Sequence, residues 1–266
     1  MRRFLRSVLS DVSYRTIRFT NGTRHGLRML MYHRVTDAHP TDRLCVPVAH
    51  FAAQMKHLRE AGFHTITFAQ AVRWITGHGT PALPERAIVL TFDDGFEDNF
   101  LHAYPMMTRH GLTGCFFVPS GFIEAGQDGR RPSDRPMSWA QLRELLTAGH
   151  EIGAHSVSHA KLTAIDEAAM RREVRACKDV LERGLKRPVR FFCYPAGDYN
   201  SSVKRAVRES GYRGACTVEP GANDSGADPF ALKRTEISAF DSLWDVEKKL
   251  AGAYDWLHSC VQLVKR

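Results

Sequence analysis

The sequence predicts an α/β fold in which parallel strands alternate with helices, arranged as a single-domain β/α barrel, complete or distorted. Short apolar runs that end in Gly, Pro or polar residues alternate with helical stretches along most of the 266 residues. That alternation is typical of parallel β/α units, and the length fits one large domain. A doubly wound open sheet is the alternative arrangement.

The strands and helices can be placed along the chain from their periodicity. We predict strands at 27–33, 63–68, 87–92, 113–118, 151–155, 188–194 and 212–218, with a further strand within 230–240. We predict helices at 48–61, 69–76, 99–110, 139–148, 166–184 and 201–210, with mostly helical chain from 241 onward. Residues 119–136 and 219–229 are predicted loops, which we expect to shape ligand specificity.

The positive charge of the chain is concentrated at its two ends. The net charge is +8, yet residues 1–28 alone carry seven Arg against Asp11. Phe4, Leu5 and Val8 recur at helical spacing, so residues 1–26 are predicted to form a basic amphipathic helix. Such a helix lies either on an anionic membrane surface or on the domain's own surface. The chain therefore divides into this segment at 1–26, a main domain at 27–240 and a C-terminal helical extension at 241–266.

Composition argues against several classes of protein. No apolar stretch reaches transmembrane length, and the N-terminus lacks the apolar run of a secretory signal. Zinc-finger spacing and basic stripes interleaved with aromatics are absent from the sequence, so we expect no nucleic-acid partner. The six Cys form no C-x-x-C pair, which favours reduced thiols. We expect a cytoplasmic protein, peripheral at the inner membrane surface if the basic segment binds there.

One predicted strand ends in two adjacent carboxylates, Asp93 and Asp94, followed by Gly95. Two neighbouring ionised Asp are costly to bury unless a cation lies between them or one of them holds a proton. The alternative is a strand followed by an Asp-rich helix cap, with Asp98 or Asn99 starting the helix. Polar residues at the ends of the other predicted strands favour a functional site over a helix cap.

Histidines stand at the ends of two further strands. His33 ends the first strand, His155 ends a later one, and His159 follows four residues on. Because the carboxyl ends of parallel strands meet at one face of the fold, we expect these residues and Asp94 to lie together. Two His and one Asp make a three-ligand metal site with open positions for water, as hydrolysis requires. A histidine-containing loop without a metal is the alternative for the His pair alone.

Three runs of the sequence are similar to the first three motifs of the polysaccharide deacetylases, which form carbohydrate esterase family four and contain the NodB-homology domain. The runs are TFDDG at 91–95, HSVSH at 155–159 and RFFCYPAG at 190–197. Their order and spacing match that family within residues 27–240. The resemblance implies a distorted (β/α) barrel and metal-dependent removal of N- or O-acetyl groups from sugars.

The resemblance also implies a role for each matching residue. Asp93 corresponds to the catalytic base, and Asp94, His155 and His159 to the ligands of one divalent metal ion. Zinc is the usual ion for such ligands, and cobalt, nickel and iron also suit them. A metal-bound water is then the nucleophile, and Asp93 takes its proton.

The third motif is expected to contact the substrate and the developing oxyanion. A backbone N–H near Tyr194–Gly197 would stabilise that oxyanion together with the metal. The four residues of this turn are Tyr194, Pro195, Ala196 and Gly197.

The third motif departs from the common pattern at two positions. Many family members carry an Arg that orients the base where this chain has Cys193, and Ala196 replaces an aromatic residue. The run from Tyr194 to Asn200 resembles the PgaB/IcaB-like branch, which acts on poly-N-acetylglucosamine. Arg234 is the candidate for the missing base-orienting cation, and a surface Arg beside a strand is its alternative.

The general acid has two candidates. The usual family has a Leu-x-His motif near the C-terminus, where this chain offers His258 within a helix-like face. In the PgaB/IcaB-like branch the barrel is permuted and the acid His comes from an N-terminal strand, which residues 31–35 resemble. We therefore assign His33 as the general acid and keep His258 as the alternative.

The sequence thus predicts a metal-dependent deacetylase that hydrolyses the N-acetyl group of an amino sugar in a polysaccharide or glycoconjugate. Its expected partner is an N-acetylated carbohydrate. One alternative is a deacetylase of a lipid-linked or membrane-proximal amino sugar, suggested by the basic ends. A further alternative is a carbohydrate-binding protein with a decayed site.

Overall fold

The fold is built from one curved sheet and the helices around it. The computed structural model describes residues 10, 11, 13, 14, 26–77, 82–126, 128 and 131–255. Its strands are β1 (Leu27–Tyr32), β2 (Arg34–Val35), β3 (Cys45–Val46), β4 (His64–Thr65), β5 (Ala87–Phe92), β6 (Gly114–Val118), β7 (Glu151–Ala154), β8 (Phe191–Cys193), β9 (Gly214–Cys216), β10 (Ala222–Asn223) and β11 (Thr235–Glu236). Its helices are α1 (Val48–Glu60), α2 (Phe68–Ile75), α3 (Tyr104–Arg109), α4 (Ser120–Ala125), α5 (Trp139–Thr147), α6 (Glu167–Leu185), α7 (Ser201–Glu209) and α8 (Leu243–Leu250).

The main sheet closes on itself and forms a distorted β/α barrel. Strands β1, β5, β6, β7, β8 and β9 are neighbours in that order, and all these pairs are parallel. The segment before β11 bridges β9 in parallel through Cys216 and Leu232, and β11 pairs with β1. This closing segment completes the ring, so the predicted fold is confirmed.

The closing side of the barrel departs from a regular β/α repeat. Between β9 and β11 the described chain has no helix, and it reverses to pair β10 antiparallel with β1. The predicted loop 219–229 therefore contains a short strand. Because no helix follows β9 on this side, the outer surface here is formed by loops and by α8.

Alternation along the strands creates two apolar cores. Leu30, Leu90 and Phe116 belong to the core between the sheet and the surrounding helices. Met29 and Val89 belong to a second core, which also contains Phe68, Val72 and Ile75 of α2. The second core fills the barrel, and α2 packs against it. Residues in phase with Val89 along β5 therefore point into the barrel.

Some predicted boundaries were wrong, each for a local reason. The predicted loop 119–136 contains α4, whose first N–H groups, those of Ser120 and Gly121, donate to carbonyls of residues 156 and 157. The predicted strand 63–68 is only β4, because Thr67 forms a capping box that starts α2. The predicted helix 99–110 opens with a π-helical turn at Asn99–Ala103.

The two ends of the chain lie mostly outside the described residues. The predicted amphipathic helix within 1–26 is described at residues 10, 11, 13 and 14, and His258 is not among the described residues. Asp11 pairs with Lys248 of α8 at 3.0 Å and accepts a hydrogen bond from the Trp244 indole at 3.1 Å. This part of the segment thus packs on the domain itself. Among the described helices, none has the length and apolar character needed to cross a membrane.

Candidate active site

The chain turns sharply at the end of β5, where the two carboxylates diverge. Asp93 follows the inward-facing positions of β5 and is buried in the barrel. Asp94 and Gly95 have φ values of 70° and 67°. A Cβ on Gly95 would lie 2.8 Å from Val118, so this position requires glycine. The turn sends Asp93 inward and leaves Asp94 at the mouth of the barrel.

Asp93 forms a bidentate ion pair with Arg234 inside the barrel. The two guanidinium nitrogens Nη1 and Nη2 donate to its two carboxylate oxygens, each at 2.7 Å. The same guanidinium donates to the Thr217 carbonyl at 2.8 Å and to the Thr91 hydroxyl at 3.1 Å. Arg234 is fully buried, which rules out the alternative of a surface Arg. Burial alone would raise the pKa of Asp93, but the Arg234 charge overcomes that effect and lowers it.

Cys193 lies next to the Asp93–Arg234 ion pair, at a position that requires a small side chain. Its Sγ is 3.1 Å from Arg234 Nη2 and 3.5 Å from Asp93 Oδ2. Burial raises the pKa of this thiol well above its usual value, so the thiol is neutral and does not compete with Asp93 for the guanidinium. A larger residue at 193 would occupy the space that Arg234 fills from the closing segment.

Asp94, His155 and His159 converge as a metal site requires. Asp94 Oδ1 lies 3.5 Å from His155 Nε2 and 3.3 Å from His159 Nε2. Ligand atoms about 2.1 Å from one tetrahedral ion lie roughly 3.4 Å apart, so the spacing fits. Asp94 Oδ1 is buried and has no hydrogen-bond partner among the described residues, although two imidazoles adjoin it. The residues therefore fit a divalent cation.

His155 is oriented for this role by its other ring nitrogen. Its Nδ1 is 2.7 Å from the carbonyl oxygen of Cys193. A carbonyl can only accept, so Nδ1 carries the hydrogen and Nε2 is left with a lone pair directed at Asp94.

A second group of possible ligands, Asp93, His155 and Cys193, is also close enough to bind a metal ion. All three are buried, and Arg234 already lies within 3.1 Å of both Asp93 and Cys193. A second cation beside a buried guanidinium would be repelled. The mouth group of Asp94, His155 and His159 is the better metal site.

Glu173 on α6 stabilises the turn that brings His159 back to His155, and no sequence pattern indicated this role. Its carboxylate accepts hydrogen bonds from the backbone N–H groups of Val157 and Ser158, each at 2.9 Å. The Ser156 hydroxyl accepts from the His159 N–H at 3.0 Å. Ser156 and His159 both have left-handed backbones, with φ of 60° and 61°. Such strained backbone persists only where surrounding contacts fix it, as Glu173 does here.

His33 lies beside Asp93 because β1 and β5 are neighbours in register. Its Nε2 is 4.0 Å from Asp93 Oδ2, beyond hydrogen-bond distance, and its Nδ1 has no hydrogen-bond partner among the described residues. The Asn99 amide donates to the His33 carbonyl at 2.8 Å and fixes the local backbone. The alternative interpretation of the Asp93–Asp94 run was a strand followed by a helix cap at Asp98 or Asn99. Asp98, next to Asn99, does not act as such a cap, because it makes no cap hydrogen bond and pairs with Arg34 at 2.7 Å.

The third-motif turn has one backbone N–H without a backbone acceptor among the described hydrogen bonds. The N–H of Tyr194 donates to Cys216 and that of Gly197 donates to Tyr194. Pro195 has no N–H. Within the described hydrogen bonds, this leaves the N–H of Ala196, a residue with φ of 53°, without a backbone acceptor. The ring of Tyr194 is buried and its hydroxyl donates to the Phe230 carbonyl, so this side chain supports the turn.

Among the described residues, two of the cavities beside the barrel differ in their relation to the residues above. One, of about 590 Å³, is lined by Glu151, Ile152, Arg190 and Phe191 at the opposite ends of β7 and β8. The other, of about 570 Å³, lies on the closing side and includes Arg234 in its wall. The first is therefore separated from the site by the length of the strands, and the second adjoins it.

Comparisons with known proteins agree with this geometry. The family profile described as polysaccharide deacetylase matches residues 80–215, slightly more than half of the chain. The polysaccharide deacetylase YxkH of Bacillus subtilis is 28% identical over 212 residues, covering 80% of this chain and 71% of YxkH. The poly-β-1,6-N-acetyl-D-glucosamine N-deacetylase of Staphylococcus aureus is 22% identical over 244 residues, covering 81% and 82% of the two chains.

Solved structures show the same fold. The IcaB protein of Ammonifex degensii has a TM-score of 0.72 and 26% identity, covering 85% of this chain and 97% of IcaB. The deacetylase PplD of Streptococcus pyogenes has a TM-score of 0.76 and 22% identity, covering 85% and 98%. The chain therefore belongs to the polysaccharide deacetylase family and is a hydrolase of the carbohydrate N-deacetylase class.

Proposed function

We propose that this protein is a metal-dependent N-deacetylase of N-acetylglucosamine units in a polysaccharide or glycoconjugate. The observation that carries the proposal is the Asp93–Arg234 ion pair beside the convergent Asp94, His155 and His159. The substrate follows the Staphylococcus aureus relative, whose name specifies poly-β-1,6-N-acetyl-D-glucosamine. A divalent cation held by the three ligands, in our proposal zinc, would acidify a water molecule and polarise the acetyl carbonyl.

Asp93 is proposed as the general base. Arg234 keeps its carboxylate ionised and fixes its plane with two hydrogen bonds, so the base does not rotate away. Because both side chains are buried, this orientation is held by packing as well as by charge. The proton taken by Asp93 comes from the attacking water.

His33 is proposed as the general acid that protonates the leaving amine. Its Nε2 lies 4.0 Å from Asp93 Oδ2, so the two side chains can approach one substrate group without being hydrogen-bonded to each other. A base and an acid on two sides of one reacting group is the arrangement that amide hydrolysis needs, because the water loses a proton and the amine gains one. The backbone N–H of Ala196 is proposed to stabilise the tetrahedral oxyanion.

The alternative of a decayed binding protein loses its main support. That alternative depended on Cys193 standing where many family members have an Arg. Arg234 provides a guanidinium at Asp93 from the segment before β11, so the base keeps a cationic partner.

The alternative of a membrane-proximal substrate is a second proposal for the same chemistry. Leu243 and Trp244 are exposed on α8, and Trp244 contacts Asp11 of the basic segment. Sedimentation with anionic liposomes should fall when Arg2, Arg3 and Arg6 are changed to Gln, and equal sedimentation would reject the membrane contact.

Acetate release tests the proposed function. N-acetylglucosamine oligomers incubated with the zinc-loaded protein should release acetate, and Asp93→Asn should remove nearly all of this release. His33→Ala should also lose activity while its metal content, measured by elemental analysis, stays at the wild-type level. Activity that survives Asp93→Asn, or that is unaffected by a chelator, would reject the mechanism.

A further inference from the structure

The imidazole of His33, the proposed general acid, is not oriented by a hydrogen bond within the described part of the chain. Its Nδ1 has no hydrogen-bond partner there, and its Nε2 is 4.0 Å from Asp93 Oδ2. His155 differs, because its Nδ1 lies 2.7 Å from the Cys193 carbonyl oxygen. The place of the His33 ring therefore depends on its backbone and its packing. A misplacement of about 1 Å can cost a reacting group much of its rate, so this backbone must be fixed accurately.

Asp98 and Asn99 hold three consecutive residues of the chain at this point. The Asn99 amide donates to the His33 carbonyl at 2.8 Å. Arg34 Nε donates to Asp98 Oδ2 at 2.7 Å, and the Val35 N–H donates to Asp98 Oδ1 at 3.3 Å. Both carboxylate oxygens are thus engaged, and all three contacts join the same two segments. We call Asp98 and Asn99 the clamp.

The clamp is buried, and its ion pair restricts movement. Asp98, Asn99 and Arg34 are all buried, and the Arg34 guanidinium lies 4.1 Å from the centre of the Phe96 ring. A buried ion pair contributes little net stability, because desolvation of the two charges offsets their attraction. A planar guanidinium that is held both by a carboxylate and by an aromatic face has little freedom to shift. The clamp therefore acts mainly on the position of the chain.

The clamp belongs to the same short segment as the base and one proposed metal ligand. Asp93 and Asp94 precede it directly along the chain. The Gly95 carbonyl and the Glu97 N–H are hydrogen-bonded to backbone groups of residues 135–137, at 2.9 and 2.8 Å. This fixed segment reaches across to the chain after β1 only through the clamp and its neighbours. The acid is thus placed relative to the base by direct contacts.

We propose that Asp98 is a positioning residue for the general acid, and that it sets the place of His33 relative to Asp93 through Arg34 and Val35. The inference rests on the proposed function and deepens it. In the step concerned, His33 gives its proton to the amine nitrogen as the carbon–nitrogen bond breaks. An amine leaves poorly without that proton, whereas a nitrophenolate leaves without one. Loss of the clamp should therefore damage amide hydrolysis and spare an activated ester.

Leaving-group dependence tests the inference. Asp98→Asn keeps the shape of the side chain, and Arg34 retains a second carboxylate, that of Asp134, at 3.4 Å. The kcat for acetate release from N-acetylglucosamine oligomers should fall roughly 30- to 100-fold with little change in KM. Hydrolysis of para-nitrophenyl acetate and the zinc content should stay within about twofold of the wild type, because the metal, the water and the base are untouched. Asn99→Ala should show the same selective loss, which keeps the test available if Asp98→Asn does not fold.

A double variant shows whether Asp98 acts through His33. In His33→Ala protein, adding Asp98→Asn should lower amide hydrolysis by less than about threefold, because the acid is already gone. Asp255→Asn is the matched control, since Asp255 pairs with Arg28 at 2.9 Å toward the other end of β1. That variant should leave the ratio of amide to ester hydrolysis at its wild-type value.

Crystal structures separate this inference from the proposed function. In Asp98→Asn protein, the distance of 4.0 Å between His33 Nε2 and Asp93 Oδ2 should change by more than about 0.5 Å. Such a shift would support the positioning even if the wild type released no acetate, a result that would reject the proposed function alone. An unmoved His33, equal losses on the amide and the ester, or fully additive losses with His33→Ala would overturn the inference.

Discussion

Replacing Arg234 by Met is the most direct test of how the site is held together. Met has a similar length and no charge, so Arg234→Met removes the ion pair with Asp93 and leaves most of the packing. The charge centres of a bidentate pair are about 4 Å apart, and at an effective dielectric constant of about 20 they attract by roughly 4 kcal/mol. Removing one partner of a buried pair costs about 3–5 kcal/mol, because the other charge stays buried and unpaired. We expect the free energy of unfolding to fall by that amount.

The assay is a double-mutant cycle measured by urea unfolding. Asp93→Asn alone leaves the Arg234 guanidinium buried without its counter-ion, and we expect a loss of similar size. The double variant removes both charges, so its loss should be smaller than the sum of the two single losses by about 3 kcal/mol. Arg171→Met serves as the control, because it removes an exposed ion pair with Glu209 and should leave stability nearly unchanged.

Arg234→Met should also change the kinetics of the enzyme. Without the two hydrogen bonds that fix its plane, Asp93 is no longer oriented toward the attacking water, and kcat should fall by roughly 100-fold or more. Strictly additive unfolding losses in the cycle, or full activity of Arg234→Met at an unchanged metal content, would refute the reasoning from the ion pair.

Three further predictions concern the supporting residues. Burial lowers the pKa of His150 to about 4 from its usual 6.5, so the unfolded chain binds a proton between these values that the folded protein excludes. Stability should therefore fall by about 3 kcal/mol more for the wild type than for His150→Gln between pH 7 and pH 4, and equal losses in urea titrations would contradict this. Glu173→Ala should weaken zinc affinity by roughly 10- to 100-fold in a competition assay, because the His159 turn loses its main support, whereas Glu167→Ala on the same helix should not. Asp94→Ala should purify without stoichiometric metal, and a full complement of zinc in that variant would reject the assigned ligand set.

Much of the site could be predicted from the sequence because its residues occur in short local runs. The end of an apolar strand is visible in the run that leads to Asp93 and Asp94. The spacing of His155 and His159 is equally local, and the parallel fold places strand ends on one face. The helix predicted at 139–148 is also present, as α5 (Trp139–Thr147), and Ser138 begins it by forming a capping box with Gln141.

Contacts between distant parts of the chain could not be predicted in this way. The sequence suggested Arg234 only as a candidate, because 141 residues separate it from Asp93. Glu173 was missed since an acidic residue on a helix is usually solvated, and nothing local shows that it binds the turn after β7.

The sequence by itself therefore determined the alternation of strands and helices, the parallel β/α fold class and the placement of Asp93, Asp94, His155 and His159 near strand ends. These features follow from hydrophobic periodicity and from polar residues at strand ends, which act over a few residues. Only the tertiary structure decided which cation neutralises Asp93, why Cys193 is small, and how His159 returns to His155. Those outcomes depend on barrel closure, because closure brings β5, β8 and the segment before β11 to one buried layer where charges must be paired.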